Sequence, residues 1–183
     1  MQVISGKYRA RKLISIEDEG TRPTLAKVKE SMFAMIDDKI YDSVVLDLFA
    51  GSGSLGIEAI SRGAQKVYFV DNNRKVKAIL EKNLRNIKEP FEIVIDDFSK
   101  ALDLFAKKHL KFDIVLIDAP YKSDFGGQSL EILAEKQLLN DNATIVYEQE
   151  RINCLQNVRK CYKIIKTKTH GIANISILEY TRE

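Results

Sequence analysis

Val44-Val45-Leu46-Asp47-Leu48-Phe49-Ala50-Gly51-Ser52-Gly53-Ser54-Leu55-Gly56-Ile57-Glu58-Ala59-Ile60 is an apolar run of strand length that stops at a Gly-x-Gly-x-x-Gly turn. Behind the turn, Leu55, Ile57, Ala59 and Ile60 can make one face of a helix. Strand, tight loop and helix follow in that order. Gly51 and Gly53 have no side chain to hold a ligand away, and the helix N-terminus offers unpaired N–H groups. The turn is a candidate nucleoside site, although glycine-rich corners between strand and helix also occur for structural reasons alone.

Lys66-Val67-Tyr68-Phe69-Val70 reads as a second strand and ends on Asp71, twenty residues after Gly51. A carboxylate there can accept from ribose hydroxyls. NAD and S-adenosylmethionine (SAM) both satisfy the pattern to this point. Further strands at Phe91–Ile95, Phe112–Ile117 and Ala143–Tyr147 deliver Asp96-Asp97-Phe98, Asp118-Ala119-Pro120-Tyr121 and Glu148. Helical spacing places Val76, Ile79, Leu80 and Leu84, then Ala101, Leu102 and Phe105, then Leu130, Ile132, Leu133 and Leu138 between them. The polar, glycine-containing segment from Lys122 to Gly127 is expected to be a mobile loop. Tyr162–Ile165 and Asn174–Leu178 close the chain as a hairpin through Thr169-His170-Gly171.

This alternation predicts an α/β fold: a doubly wound, mostly parallel seven-stranded sheet with an antiparallel last strand. Ligands in such sheets bind beyond the carboxyl ends of the strands, where Asp47, Asp71, Asp97 and Asp118 all fall. Residues 1 to 16 read as a hairpin with Gly6-Lys7 near its turn and Val3, Ile4, Leu13 and Ile14 as apolar contacts. Arg22-Pro23-Thr24 then opens a helix carrying Leu25, Val28, Met32, Phe33, Met35 and Ile36, with Thr24 either its N-cap or a site residue. The expected organisation is a basic hairpin arm over residues 1–21 and a main domain over 22–183.

The 183 residues, 45% hydrophobic and 30% charged, suit an ordinary globular domain. No apolar run approaches membrane-spanning length, and Met1–Gly6 lacks a signal-peptide layout, so the expected compartment is the cytoplasm. Cys154 and Cys161 stand in no metal or redox spacing, and the two histidines are far apart, so no metal is expected. The net charge of +3 is unevenly spread. Lys7, Arg9, Arg11 and Lys12 near the start, and Arg151, Arg159, Lys160, Lys163, Lys166 and Lys168 near the end, lie in segments without an acid, while the middle is acidic. A polyanionic partner would explain both basic ends; two solvated faces would also produce them.

Asp118-Ala119-Pro120-Tyr121 is similar to the Asp/Asn-Pro-Pro-aromatic motif of SAM-dependent methyltransferases that modify exocyclic amines of nucleobases. Together with Ser5-Gly6-Lys7, Arg9 to Leu13, Arg22-Pro23-Thr24, Val28 to Phe33 and Asp47 to Ala64, it resembles the RsmD family over essentially the whole chain. The resemblance implies a Rossmann-like class I methyltransferase fold and methylation of guanine N2 in 16S rRNA, within an assembled or assembling small ribosomal subunit. It implies SAM as cofactor, with Asp47, Gly51 and Gly53 shaping the loop at its methionine part and Asp71 holding the ribose. Asp97 would accept from the adenine amine and Phe98 would pack on its ring; Phe49, Asn72 and Thr24 complete the expected set. Asp118, Ala119, Pro120 and Tyr121 would form the methyl-acceptor site, and Lys7, Arg9, Arg11, Lys12 and Arg22 would contact RNA phosphates.

Ala119 replaces the first proline of the motif. It keeps the backbone carbonyl and loses only the fixed φ. Adenine N6 or another RNA guanine as target, and a SAM- or RNA-binding protein without catalysis, are the alternatives these residues leave. An NAD dehydrogenase would leave Asp118 to Tyr121 and the basic arm unexplained.

Overall fold

A computed structural model describes residues 1–15, 23–120, 123–151 and 159–182 of the chain, with side chains from residue 26 onward in the first helix. Seven strands form one sheet: β1 Val44–Asp47, β2 Lys66–Asp71, β3 Phe91–Ile95, β4 Phe112–Asp118, β5 Leu139–Glu150, β6 Tyr162–His170 and β7 Ala173–Tyr180. Their order is β3-β2-β1-β4-β5-β7-β6. The first five run parallel, and β7 is inserted antiparallel between β5 and β6. The sheet is therefore the expected mixed one, with the switch in strand order between β1 and β4.

Among the described residues six helices cover it: α1 Pro23–Ala34, α2 Asp37–Ile40, α3 Ser54–Ser61, α4 Arg74–Leu84, α5 Phe98–Lys107 and α6 Phe125–Glu135. Successive strand residues serve opposite faces. Val45, Val67, Phe69, Ile114 and Leu116 pack with α1, α3 and α4. Leu46, Tyr68, Val70, Val115 and Ile117 pack with α5 and α6. Burial on both faces is why the central strands read as unbroken apolar runs. Asn73 starts α4 by accepting the Lys75 amide at 3.0 Å, and α1 begins on a proline, whose missing N–H costs nothing in a first turn. That start puts Thr24 inside the first turn of α1 instead of at its N-cap.

Two expectations need correction. Gly126 and Gly127 belong to the first turn of α6 and not to a loop. A Cβ on Gly126 would lie 2.2 Å from the Tyr147 ring, so this glycine serves close packing. The fifth strand starts at Leu139, earlier than its apolar core, because Phe112 pairs with Leu139 before a register shift.

The N-terminal segment forms the expected hairpin, with an antiparallel bridge between Gln2 and Lys12 and the amides of Val3, Ala10 and Leu13 donating to the carbonyls of Arg11, Val3 and Met1, and it packs on the rest of the chain. Val3 and Leu13 sit in the same core as α1 and α3. The Ile4 and Ser5 amides donate to the Glu58 carboxylate at 2.8 and 3.0 Å. A Cβ on Gly6, at φ +81°, would lie 1.8 Å from the Ser61 carbonyl oxygen. Residues 4–8 are thus pressed against α3, while Arg11 and Ile14 are bonded to Asn83 of α4.

Candidate active site

The loop between β1 and α3 is fixed from two sides. Asp47, at the end of β1, is 1% exposed and its Oδ2 accepts the Gly56 amide at 2.8 Å. Burial pushes its carboxyl up to about 7, against the Gly56 hydrogen bond, with the Asp71 charge adding to the rise. A Cβ on Gly56 would lie 2.3 Å from the Phe69 ring, so only glycine lets this amide reach Asp47. On the other side, Asp71 Oδ2 accepts the Gly51 amide at 2.9 Å and Oδ1 accepts the Asn73 amide at 2.8 Å. Each carboxylate oxygen keeps capacity for a further donor. Gly51 has φ +51°, and nothing lies within 4 Å of where its Cβ would be. The Gly51 position thus opens onto free space beside a half-buried carboxylate.

Asn72 is exposed beyond β2. Asp97 caps α5, its Oδ1 accepting the Ser99 amide at 2.9 Å and the Ser99 hydroxyl at 2.5 Å. The Ser99 hydroxyl holds its carboxyl below the usual carboxylate range. Phe98 is 7% exposed and packs with Phe49 and Phe125, at ring-centroid distances of 5.5 and 5.2 Å. Phe49 and Phe125 stack at 6.5 Å with planes 6° apart. Phe98 thus contacts both other rings, and of the three Phe49 and Phe125 are the more open. Phe125 escaped the sequence reading because it was assigned to the expected loop.

Asp118 ends β4 and is exposed, Ala119 behind it is buried, and Pro120 is exposed. The Pro120 carbonyl accepts both the Ser123 amide at 3.0 Å and the Ser123 hydroxyl at 2.7 Å, which ties the segment before α6 to the end of β4. Ser123 carried no sequence signal for this role. Tyr121, Arg22 and the Thr24 side chain lie outside what is described. In the ladder Asp118 stands opposite Glu148 of β5, a buried carboxylate that the sequence placed at a strand end without a role. Asp47, Asp71, Asp97 and Asp118 do reach one edge of the sheet, at the switch in strand order where such folds bind ligands.

Residues 1–179 match the family model described as conserved hypothetical protein 95. The chain belongs to this family, the RsmD family. Among its relatives, Ribosomal RNA small subunit methyltransferase D of Haemophilus influenzae is 35% identical over 181 residues, covering 98% of this chain and 93% of that protein. YlbH of Bacillus subtilis is 35% identical over 179 residues, covering 97% of each. The solved structure of yhhF from Escherichia coli superposes with a TM-score of 0.88 at 27% identity, covering 100% of this chain and 99% of that one. The RsmD fold of this chain is therefore the Rossmann-like class I methyltransferase fold.

Of the RsmD chain's expected RNA-contact cations, Lys7 and Arg11 are engaged within the protein. Lys7 Nζ lies 2.5 Å from Glu89 Oε1. The Arg11 guanidinium donates to the carbonyls of Asn83 and Arg85. Arg9 and Lys12 are exposed. Among the described residues no group of three or more His, Cys, Asp or Glu could hold a metal ion, and no helix is long and apolar enough to cross a membrane.

Proposed function

We propose that this chain transfers a methyl group from SAM to the exocyclic N2 amine of a guanine in 16S rRNA of the small ribosomal subunit, in the cytoplasm. The observation that carries the reading is the exposed Asp118 on the same sheet edge as the Asp71-clamped glycine loop. The name of the Haemophilus influenzae relative supports the RNA class.

Asp71, Gly51 and Gly53 would hold the ribose and methionine parts of SAM, Asp97 the adenine amine, and Phe49 with Phe125 the ring; Thr24 and Asn72 would complete the set. Bound SAM supplies a methyl group on a positively charged sulfur. The protein's own task is the acceptor. A guanine amine is a poor nucleophile because its lone pair is delocalised into the ring. Accepting its two N–H groups at the Asp118 carboxylate and the Ala119 carbonyl turns the lone pair outward. The Asp118 charge also lies where positive charge develops on nitrogen. Alanine in place of proline frees φ at residue 119, while the Ser123 bonds to the Pro120 carbonyl anchor the chain just beyond it. Tyr121 would stack on the extruded base and favour the growing charge through its π face.

Small ribosomal subunits from cells lacking their native guanine-N2 methylation, incubated with labelled SAM, test the proposal. RNA becomes labelled with the unaltered chain and not with Asp118→Ala, while both bind SAM. Label that persists with Asp118→Ala contradicts the role given to Asp118.

A further inference from the structure

β6 is the edge strand of the sheet, and every residue from Lys163 to Thr169 is exposed. Its ladder with β7 contains a register shift: Lys163 pairs with Glu179 and Ile164 with Leu178, but the next pair is Lys166 with Ile177, followed by Lys168 with Ile175. Residue 165 is the extra one. Directly opposed residues project to the same face, and alternate residues of a strand share a face. Glu179, Ile177 and Ile175 alternate along β7, so Lys163, Lys166 and Lys168 all stand on one face. Without the bulge, Lys163 would stand on one face and Lys166 and Lys168 on the other, because a one-residue slip inverts every side chain beyond it.

The face is identified by its partners. Ile175 and Ile177 pack in the core beneath α1 and α3, which also holds Val3 and Leu13 of the N-terminal segment. The lysine row and the basic N-terminal segment therefore flank one face from opposite edges of the sheet. The upper end of the row is level with the acceptor site, since Lys168, Ile175, Glu148 and Asp118 form one lateral line through β6, β7, β5 and β4. Three strand spacings put Lys168 about 14 Å from Asp118 along the sheet.

Nearby acids do not neutralise the row. Glu179, the one acid on this face of β7, is bonded to Lys39 at 3.5 Å. Glu131, close to the start of β6, is bonded to Arg159 at 3.1 Å. Among the described residues no acid pairs with Lys163, Lys166 or Lys168.

We propose that Lys163, Lys166 and Lys168 form a phosphate-contact row for the RNA backbone, leading away from the acceptor site on the flank opposite the N-terminal segment. The inference rests on the function proposed above. It adds a second anchoring surface, one that the family motifs do not contain.

The test measures the salt dependence of binding of the full-length chain to intact small subunits and to deproteinised small-subunit RNA. Each single-strand phosphate contact contributes about 0.7 to the slope of log affinity against log salt. K163Q/K166Q/K168Q is expected to lower the slope by about 2 on both ligands and to raise the KM for subunits, with the SAM Kd unaltered. K163R/K166R/K168R should restore the slope, because phosphate contact needs charge at these positions. The charge-matched K100Q/K107Q/K136Q, on the α5 and α6 side, should keep it. An unaltered slope in K163Q/K166Q/K168Q, or an equal fall in the control, overturns the row. A fall on intact subunits alone also overturns it and assigns the surface to a ribosomal protein. A chain that binds RNA through the row yet transfers no methyl supports the row and contradicts the proposed function.

Discussion

Asp71 Oδ2 accepts the backbone amide of Gly51 at 2.9 Å, so the carboxylate proposed to hold the ribose also holds the loop that would cradle the rest of the cofactor. Asp71→Ala removes both at once. The SAM Kd should rise at least tenfold, since hydrogen bonds to charged groups are worth about 1.5–3 kcal/mol. Thermal stability should fall only slightly, because Asp71 is half-exposed. Calorimetric titration with an unaltered Kd would remove Asp71 from the site.

Asp47 makes a prediction about pH. Its carboxyl is raised to about 7 chiefly by burial, whereas the unfolded chain would titrate near the ordinary carboxylate value. Between those two values the folded state holds a proton that the unfolded state has released. Stability should therefore fall as pH rises from about 4 to 7. Asp47→Asn keeps an acceptor for the Gly56 amide and abolishes the titration. Urea midpoints measured across this range should fall less steeply in the variant, and parallel curves would contradict the assignment.

Gly56 and Gly51 should separate stability from binding. A Cβ at Gly56 meets the Phe69 ring and Asp47, and overpacking of that kind costs about 1–3 kcal/mol. Gly51→Ala meets no atom, but its φ of +51° disfavours a side chain, and the new methyl enters the space assigned to the ligand. Gly56→Ala should lower Tm by several degrees. Gly51→Ala should act mainly on the SAM Kd, and the reverse ranking would contradict the site.

The existence and order of the strands, the mixed sheet and the four aspartates after β1 to β4 were legible in the sequence because they rest on local patterns: apolar runs, glycine turns and acids at fixed places. What was missed depends on residues distant in the chain. Glu58 reads as a polar position on a helix, yet it is fully buried, because the Ile4 and Ser5 amides, Lys29 and Arg62 all converge on it. Gly126 reads as a loop residue because the Tyr147 ring that requires it is 21 positions away. The lysine row depends on a one-residue bulge, which no periodicity in β6 announces.

The docked N-terminal segment changes how its RNA role should be tested. Deleting it would strip Val3 and Leu13 from the core and destabilise the whole domain. Arg9 and Lys12 are exposed, whereas Lys7 and Arg11 are tied to Glu89 and to backbone carbonyls. R9Q/K12Q should flatten the salt dependence of RNA binding by about 1 to 2 in slope without lowering Tm. An unaltered slope would take the segment out of RNA contact.

The most direct test of the central claim is the identity of the nucleoside formed. Unmethylated small subunits treated with this chain and SAM would be digested and analysed by mass spectrometry, with Asp118→Ala in parallel. N2-methylguanosine with the unaltered chain, falling by orders of magnitude with Asp118→Ala, is the predicted result. N6-methyladenosine, or no new methylated nucleoside from a chain that binds SAM, would contradict it.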